Sequence, residues 1–260
     1  LLALATRLAT TAGRTVIEMR AGALASATTK SSPTDPVTAA DRRAEEIIVA
    51  GILDARPDDA IVGEEGTDHN GDSGVVWYID PIDGTTNYLY GIPAYAVSIA
   101  AALDRTMVAG VVYNPAAGEL YAARSGAGAT CNGQPIAATT GSEMSAALIA
   151  TGFGYLAERR RVQADVVAAV LPSVRDIRRF GSAALDLCAV ASGRVDAYFE
   201  AGLNSWDFAA GSLIASEAGA VCNDLRGGPP SQRFLVAAAP GIHGPLTEML
   251  RALDADRVVT

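Results

Sequence analysis

Two closely spaced carboxylates, Asp80 and Asp83, interrupt an apolar segment of the sequence and could bind a divalent cation. The run 75–79 has the composition of a β-strand and stops at Asp80, after which Pro81 fixes the backbone φ angle. We therefore expect the two carboxylates to lie on either side of a rigid turn, close enough to share hard cations. For the Asp-Pro dipeptide alone, a turn followed by a helix cap is the simpler interpretation.

The residues that follow could bind a phosphate group. Gly84 and Thr85 stand at a predicted helix start, where free backbone N–H groups bind anions well. Two further carboxylates, Glu64 and Asp207, also stand at a predicted strand end and helix start, although Asp207 by itself would more simply be a helix N-cap. Oxygen donors without His or Cys favour Mg²⁺ or Mn²⁺ over Zn²⁺. Two such cations suit the hydrolysis of a phosphate monoester, which depends on charge stabilisation and an activated water.

The composition excludes some classes of function. The 260 residues are 50% hydrophobic, which is enough to bury a large core. Twenty basic and twenty-nine acidic residues give a net charge of −9, which argues against binding to a nucleic-acid backbone. Charged residues interrupt the N-terminal apolar pattern, so we expect no membrane span. An odd number of cysteines without CxxC spacing predicts reduced thiols in a cytosolic protein, at Cys131, Cys188 and Cys222.

The elements that must position the candidate residues change in character near residue 145. Residues 1–145 predict an α+β half in which helices pack on an antiparallel sheet and which carries most metal ligands. We predict that Asp41 lies in the second turn of the second helix. The predicted elements are helices near 2–23 and 37–55, a strand at 60–64, the run 75–79, strands near 96–103, 108–114 and 119–124, and a hairpin through Asn132-Gly133.

Residues 146–260 alternate between strand and helix patterns, which is typical of an α/β arrangement. We expect this half to supply Asp207 and the substrate contacts. The predicted strands lie near 147–151, 175–180, 195–200, 220–224 and 233–238, and the predicted helices near 157–170, 183–192, 206–218 and 244–253.

Four segments carry a resemblance to a known family. Residues 80–87, Asp-Pro-Ile-Asp-Gly-Thr-Thr-Asn, resemble the first signature of the inositol monophosphatase family, which are magnesium-dependent, lithium-sensitive phosphatases. Residues 206–219 resemble the second signature, and 35–41 and 63–65 match two further elements in the same order. The resemblance implies a layered αβαβα sandwich with the site between its halves, a homodimer, and a small phosphorylated polyol as substrate.

The resemblance also implies which residues hold the metal ions. Glu64, Asp80 and the backbone carbonyl of Ile82 would hold a first Mg²⁺, and Asp80, Asp83 and Asp207 a second. Two or three ions would bind in all, and Mn²⁺ could substitute. Glu64 would count among the catalytic residues as well as the ligands.

The remaining roles that the resemblance implies concern the water and the substrate. Thr85, hydrogen-bonded to Asp41, would orient the attacking water and help to deprotonate it. Backbone amides would hold the phosphate, and a strand end and a helix start in the second half would contact the inositol hydroxyls. The implied substrate contacts are Gly84, Thr85, Ala183, Glu200 and Asp207. Considered alone, Glu200 could also be a charged strand end.

The substrate and one alternative function stay open at this point. The continuation Thr86-Asn87-Tyr88 looks more like the branch that acts on myo-inositol monophosphate, but related phosphatases act on histidinol phosphate, fructose bisphosphate or phosphoadenosine phosphate. Certain bacterial members also act as protein-binding partners of the RNA-synthesis machinery. The resemblance places the loop of Lys30, the one lysine of the chain, beside the metal site. The sequence assigns no role to Lys30 or to Glu65.

Overall fold

The chain folds into alternating layers of helices and sheets. A computed structural model describes residues 1–22, 28–29, 36–141 and 143–257. The α-helices of these residues are α1 Leu2–Met19, α2 Ala39–Ala55, α3 Thr85–Tyr90, α4 Ala157–Val170, α5 Ala183–Ala191, α6 Ser205–Glu217 and α7 Pro240–Ala252. The β-strands are β1 Thr28–Thr29, β2 Pro36–Val37, β3 Ala60–Gly63, β4 Val75–Asp83, β5 Ala96–Leu103, β6 Thr106–Asn114, β7 Glu119–Arg124, β8 Ala129–Cys131, β9 Gln134–Ile136, β10 Leu148–Thr151, β11 Asp176–Arg178, β12 Ala197–Glu200, β13 Val221–Asn223 and β14 Leu235–Ala238.

Two larger sheets hold most of the strands. The seven-stranded sheet runs in the order β3-β4-β5-β6-β7-β8-β9, and all its pairs are antiparallel except β3 with β4. The five-stranded sheet has the order β11-β10-β12-β14-β13, in which β10 pairs in parallel with β11 and β12 while β14 is antiparallel to both its neighbours. Strands β1 and β2 form a separate antiparallel pair.

Three apolar clusters bind the layers to one another. Helices α1 and α2 cover one face of the large sheet, where Ile48 and Ile52 are fully buried. Each such side chain contributes about 1.5–3 kcal/mol to folding. Helices α5 and α6 fill the space between the two sheets, and α4 and α7 cover the outer face of the small sheet. The order is therefore αβαβα, which confirms the predicted fold class.

The central helices pack closely against the large sheet because glycines face them. A Cβ atom at Gly110 of β6 would lie 2.9 Å from the carbonyl oxygen of Ala210 in α6. A Cβ atom at Gly211 would lie 2.8 Å from the Cβ of Leu187 in α5. The glycines let α6, which carries Asp207, approach both the sheet and its neighbouring helix.

Most predicted elements are present, with four differences. Helix α1 ends at Met19 and continues as a 3₁₀ turn to Gly22, and α7 begins at Pro240 rather than near 244. Val37 belongs to β2, so α2 begins at Ala39 and Asp41 lies in its first turn, not its second. Strand β4 does not stop at residue 79 but continues through the acidic motif. The predicted division at residue 145 stays a prediction.

The three cysteines are free thiols, as predicted. No described helix has the length and uninterrupted apolar composition of a membrane span. Lys30 and Asp35, which belong to the predicted loop beside the metal site, lie outside the described residues.

Candidate active site

A β-bulge in β4 turns Asp80 and Asp83 into the same cleft. In a regular strand, side chains three residues apart point to opposite faces of the sheet. Here Asp80 pairs with Ser98 but Asp83 pairs with Ala96, so β4 carries one extra residue against β5. Both carboxylates line one cleft. The predicted turn between them is therefore wrong, because the strand continues and the bulge reorients it.

Gly84 lets the chain pass from β4 into the short helix α3. Its φ angle is 93°, in the left-handed region that favours glycine. A Cβ atom at this position would lie 2.9 Å from the carbonyl oxygen of Ala94 and 3.1 Å from that of Gly181. The backbones of both halves of the chain therefore meet closely at the start of α3, where the sequence predicts phosphate binding.

Thr85 and Asp41 meet although 44 residues separate them in the sequence. The Thr85 hydroxyl lies 3.1 Å from Oδ1 of Asp41 and 3.0 Å from the carbonyl oxygen of Ile82. The other oxygen of Asp41 accepts hydrogen bonds from the backbone N–H of Thr38 at 2.8 Å and from its hydroxyl at 2.5 Å. Asp41 is completely buried, and this capping box of α2 fixes its orientation.

Glu64 and Asp207 reach the cleft from different parts of the chain. Glu64 directly follows β3, and its backbone N–H donates to the carbonyl oxygen of Ile79 at 3.1 Å. Asp207 lies in the first turn of α6, and its Oδ2 accepts a hydrogen bond from the backbone N–H of Asn204 at 2.7 Å. The N-cap residue is Asn204, so the simpler interpretation of Asp207 as the N-cap is wrong.

The cleft has a volume of about 390 Å³ and brings together every predicted site residue except Asp41, which lies beneath Thr85. Among the described residues that line a neighbouring cavity of about 380 Å³, Asp256 is the one acidic residue. Volume therefore does not identify the site, but the concentration of carboxylates does. The predicted residues in its wall are Glu64, Asp80, Ile82, Asp83, Gly84, Thr85, Ala183, Glu200 and Asp207.

The carboxylates of the cleft perturb one another. The pKa of Asp80 is raised well above its usual value. Burial is the largest cause, and the charges of Glu64, Asp83 and Asp207 add to it. Burial also raises the pKa of Asp207, again with a contribution from Asp83. Such mutual perturbation is common at functional sites because a binding cation can later relieve it.

Asp83 is perturbed less because it has hydrogen-bond donors. Burial raises its pKa to about 6, while hydrogen bonds to its carboxylate oppose the shift. The Ser182 hydroxyl and the Ala184 backbone N–H each donate to its Oδ2 at 2.6 Å. These donors lie at the start of α5, so Asp83 also ties the two halves of the chain together.

The donor set fits a hard divalent cation. It consists of carboxylate oxygens and a backbone carbonyl, which Mg²⁺ and Mn²⁺ prefer. Among the residues that the structure describes, however, no three acidic, His or Cys side chains already converge tightly enough to hold a metal ion. Asp83 and Asp207 instead accept hydrogen bonds from the protein.

The other end of the cleft presents hydrogen-bonding groups from the second half of the chain. Glu200 ends β12, and its Oε2 accepts a hydrogen bond from the Tyr198 hydroxyl at 2.6 Å. Burial raises the pKa of Glu200 to about 7. A Cβ atom at Gly152 would lie 1.7 Å from Oε2 of Glu200, so a side chain there would displace this carboxylate. Ala183 is the first residue of α5.

Three charged residues in the wall of the cleft were not predicted from the sequence. Asp186 is 1% exposed, and its Oδ1 has no hydrogen-bond partner among the described residues. Burial raises its pKa well above the usual value. Its position one helical turn after the predicted contact Ala183 was a signal for it. Arg159 and Arg179 also line the cleft and form no ion pair with a described residue. No pattern in the sequence distinguishes them from the other arginines.

Comparison with known proteins assigns the chain to a family. The model of the inositol monophosphatase family matches residues 1–255. The chain belongs to the inositol monophosphatase family. This confirms the resemblance carried by the four sequence segments and the predicted class of enzyme, a phosphatase.

Relatives of this inositol monophosphatase family member include proteins named as inositol-1-monophosphatases and as Nus factors. Inositol-1-monophosphatase SuhB of Mycobacterium tuberculosis is 49% identical over 236 residues, covering 86% of this chain and 80% of the relative. Nus factor SuhB of Vibrio cholerae is 40% identical over 244 residues, covering 92% and 91%. The crystal structure of the extragenic suppressor protein suhB from Bartonella henselae superposes with a TM-score of 0.89 at 37% identity, covering 95% of this chain and 97% of that one.

Proposed function

We propose that this chain hydrolyses a phosphate monoester in a Mg²⁺-dependent reaction, with myo-inositol monophosphate as its first substrate. The observation that carries the proposal is the cleft itself. Three aspartates, the buried Asp80 and the partly buried Asp83 and Asp207, have raised pKa values there and lie in one wall with Gly84 and Thr85. A site rich in buried negative charge can bind a phosphate dianion only if cations lie between them.

The proposed ligands divide between two ions. Glu64, Asp80 and the carbonyl of Ile82 would hold one, and Asp80, Asp83 and Asp207 would hold the other. Bound Mg²⁺ would acidify the attacking water and stabilise the charge that develops on the phosphate and the leaving oxygen. Either two or three ions fit this proposal, and Mn²⁺ would support the reaction as well because it prefers the same donors.

Asp41 and Thr85 would orient the attacking water. When the Thr85 hydroxyl donates its hydrogen to Oδ1 of Asp41, 3.1 Å away, its oxygen can accept a hydrogen bond from the water. Asp41 stays in place because its other oxygen already accepts two hydrogen bonds from Thr38. A buried, fully oriented acceptor of this kind costs no reorganisation during the reaction.

Glu200 would select the alcohol part of the substrate. Its carboxylate lies in the cleft beside Ala183, and one of its oxygens accepts a hydrogen bond from Tyr198. The remaining acceptor capacity suits the hydroxyl groups of a polyol. Arg159 and Arg179 lie in the same wall. Their positive charges would also suit an alternative substrate with a second anionic group, such as fructose bisphosphate or phosphoadenosine phosphate.

A phosphate-release assay with Mg²⁺ tests the proposal. The panel contains myo-inositol 1-phosphate, histidinol phosphate, fructose 1,6-bisphosphate and 3′-phosphoadenosine 5′-phosphate, and the Asp80→Asn variant is the negative control. We expect the highest kcat/KM with inositol phosphate and none with the variant. A higher kcat/KM with another member of the panel would identify that compound as the preferred substrate. No phosphate release from any of them would contradict the proposal.

A second candidate function is that of a protein-binding regulator, which the name of the Vibrio cholerae relative, a Nus factor, favours. Co-elution of the purified chain with RNA polymerase from the organism that encodes this chain would support it, and failure to co-elute would contradict it. The Asp80→Asn variant separates the two functions, because a regulator should keep its binding when catalysis is lost. The homodimer and the cytosolic location stay predictions.

A further inference from the structure

Glu45, on α2, contacts the turn that carries the proposed metal ligand Glu64. Its side chain is 1% exposed. One carboxylate oxygen accepts a hydrogen bond from the backbone N–H of Glu65 at 2.9 Å. The other accepts hydrogen bonds from the Thr67 backbone N–H at 3.1 Å and from the Thr67 hydroxyl. All these donors belong to the turn that follows β3.

The turn is shaped around this carboxylate. A Cβ atom at Gly63 would lie 2.8 Å from the carboxyl carbon of Glu45, so a side chain there would displace it. Glu64 lies between Gly63, which gives Glu45 its space, and Glu65, which donates to it. One buried side chain therefore contacts the backbone on both sides of Glu64, because it packs against Gly63 and accepts a hydrogen bond from Glu65.

The same helix also positions Asp41. Asp41 and Glu45 are four residues apart, so they lie on the same face of α2, about 6 Å apart along its axis. Asp41 contacts Thr85, while Glu45 contacts the turn of Glu64. Both acids are buried and accept hydrogen bonds mainly from backbone or hydroxyl groups. One rigid helix thus holds two separate parts of the cleft at a fixed spacing.

We propose that Glu45 is a positioning residue that holds Glu64 ready to bind the first metal ion, and that α2 thereby aligns this ion with the Asp41–Thr85 pair. The inference rests on the proposed metal site. Residues that orient a ligand from behind typically change metal affinity about 10- to 100-fold when they are mutated. Glu45 touches no substrate in this proposal and acts only through Glu64.

The Glu45→Gln variant tests the proposal. Glutamine keeps the size of the side chain but replaces one acceptor oxygen with an NH₂ group, which cannot accept from the N–H groups of Glu65 or Thr67. Glu217→Gln is the matched control. The Glu217 carboxylate also accepts three backbone N–H groups, from Gly126 to Gly128 at 2.8–3.1 Å, but it does not line the cleft.

Two readouts need no substrate. Electron paramagnetic resonance measures the concentration of free Mn²⁺ during a titration. NMR measures the hydrogen-exchange rates of the backbone amides of Glu65 and Thr67. For Glu45→Gln we expect the Mn²⁺ dissociation constant to rise about tenfold or more, with faster exchange at both amides. Glu217→Gln should change the Mn²⁺ dissociation constant less than about twofold, although its loss of hydrogen bonds is similar. In the assay, high Mg²⁺ should restore most of the turnover of Glu45→Gln.

The outcomes separate this inference from the proposed function. If wild type binds Mn²⁺ and a folded Glu45→Gln binds it equally well, the inference is wrong while the metal site stands. Equal weakening in Glu217→Gln would show a general effect of lost stability and would also overturn it. If wild type binds no Mn²⁺, both fail. Should Glu45→Gln not fold, Thr67→Val removes one hydrogen bond to the same carboxylate and should raise the dissociation constant by a smaller factor, and an unchanged constant would contradict the inference.

Discussion

Without divalent cations, this protein should become less stable as the pH rises from about 4 to about 7.5. Burial raises the pKa of Asp83 from 3.8 to about 6, so the folded protein binds this proton more tightly than the unfolded chain does. A raised acid pKa means that the group destabilises the fold progressively as the pH rises from 3.8 to about 6. Asp80 and Asp207 act in the same direction, because their pKa values are raised as well.

The size of the effect follows from the shift of Asp83. A change from 3.8 to about 6 corresponds to about 3 kcal/mol over the whole window, of which about 1.5 kcal/mol falls between about pH 5 and pH 7.5. For a chain of this size, 1 kcal/mol changes Tm by about 2–4 °C. Asp83 alone should therefore lower Tm by about 3–6 °C between these two pH values. His243, whose pKa burial lowers, acts in the opposite direction.

Thermal unfolding in EDTA at a series of pH values measures this fall. The Asp83→Asn variant removes the titrating group but keeps an oxygen that can accept from Ser182 and Ala184, so the difference between the two proteins isolates Asp83 from His243. We expect the Tm of the variant to exceed that of wild type at pH 7.5. Between pH 5 and pH 7.5, the Tm of the variant should fall less than that of wild type. Saturating Mg²⁺ should abolish most of the fall in wild type. A Tm with the same pH dependence in both proteins would refute the reasoning.

Three further changes test the roles in the cleft. Asp207→Asn should reduce phosphatase turnover by orders of magnitude without changing the circular dichroism spectrum, and unchanged turnover at saturating Mg²⁺ would remove Asp207 from the mechanism. Glu200→Gln should weaken turnover of inositol phosphate more than that of an unrelated small phosphate ester, by about 1–3 kcal/mol, whereas equal losses would indicate a structural role. Li⁺, which resembles Mg²⁺ in size but carries half its charge, should inhibit uncompetitively or noncompetitively with respect to substrate. With NaCl as the ionic-strength control, indifference to Li⁺ would count against an exchangeable second ion.

The elements of the fold could be predicted well where the hydrophobic pattern was long. Strands β5 to β7 and the end of helix α2 have clear patterns, and their boundaries agree within a few residues. The end of β4 was wrong because Asp80 and Pro81 look like a strand terminator, and a bulge leaves no mark of its own in the sequence. The start of α2 was wrong because Val37 fits either a helix or a strand, and only its pairing with β1 decides.

The candidate site could be predicted only in part. The acidic motif and the family resemblance named the residues that the cleft brings together. Apart from Asp41, the groups that hold these residues in place were missed, because they act through contacts between distant segments. Ser182 donates to Asp83 across 99 residues, and Glu45 accepts from Glu65 across 20 residues. Neither contact involves a residue type that is unusual at its position.

The sequence by itself determined which oxygen donors this protein has, their local spacing, and the helix start at Gly84, because these depend on residue type and on neighbours along the chain. Only the tertiary structure decided how strongly they interact. The pKa values of Asp80, Asp83 and Asp207 are raised because packing removes water from all three and brings their charges together. Burial and mutual distance are properties of the packed layers, and no segment of the sequence contains them.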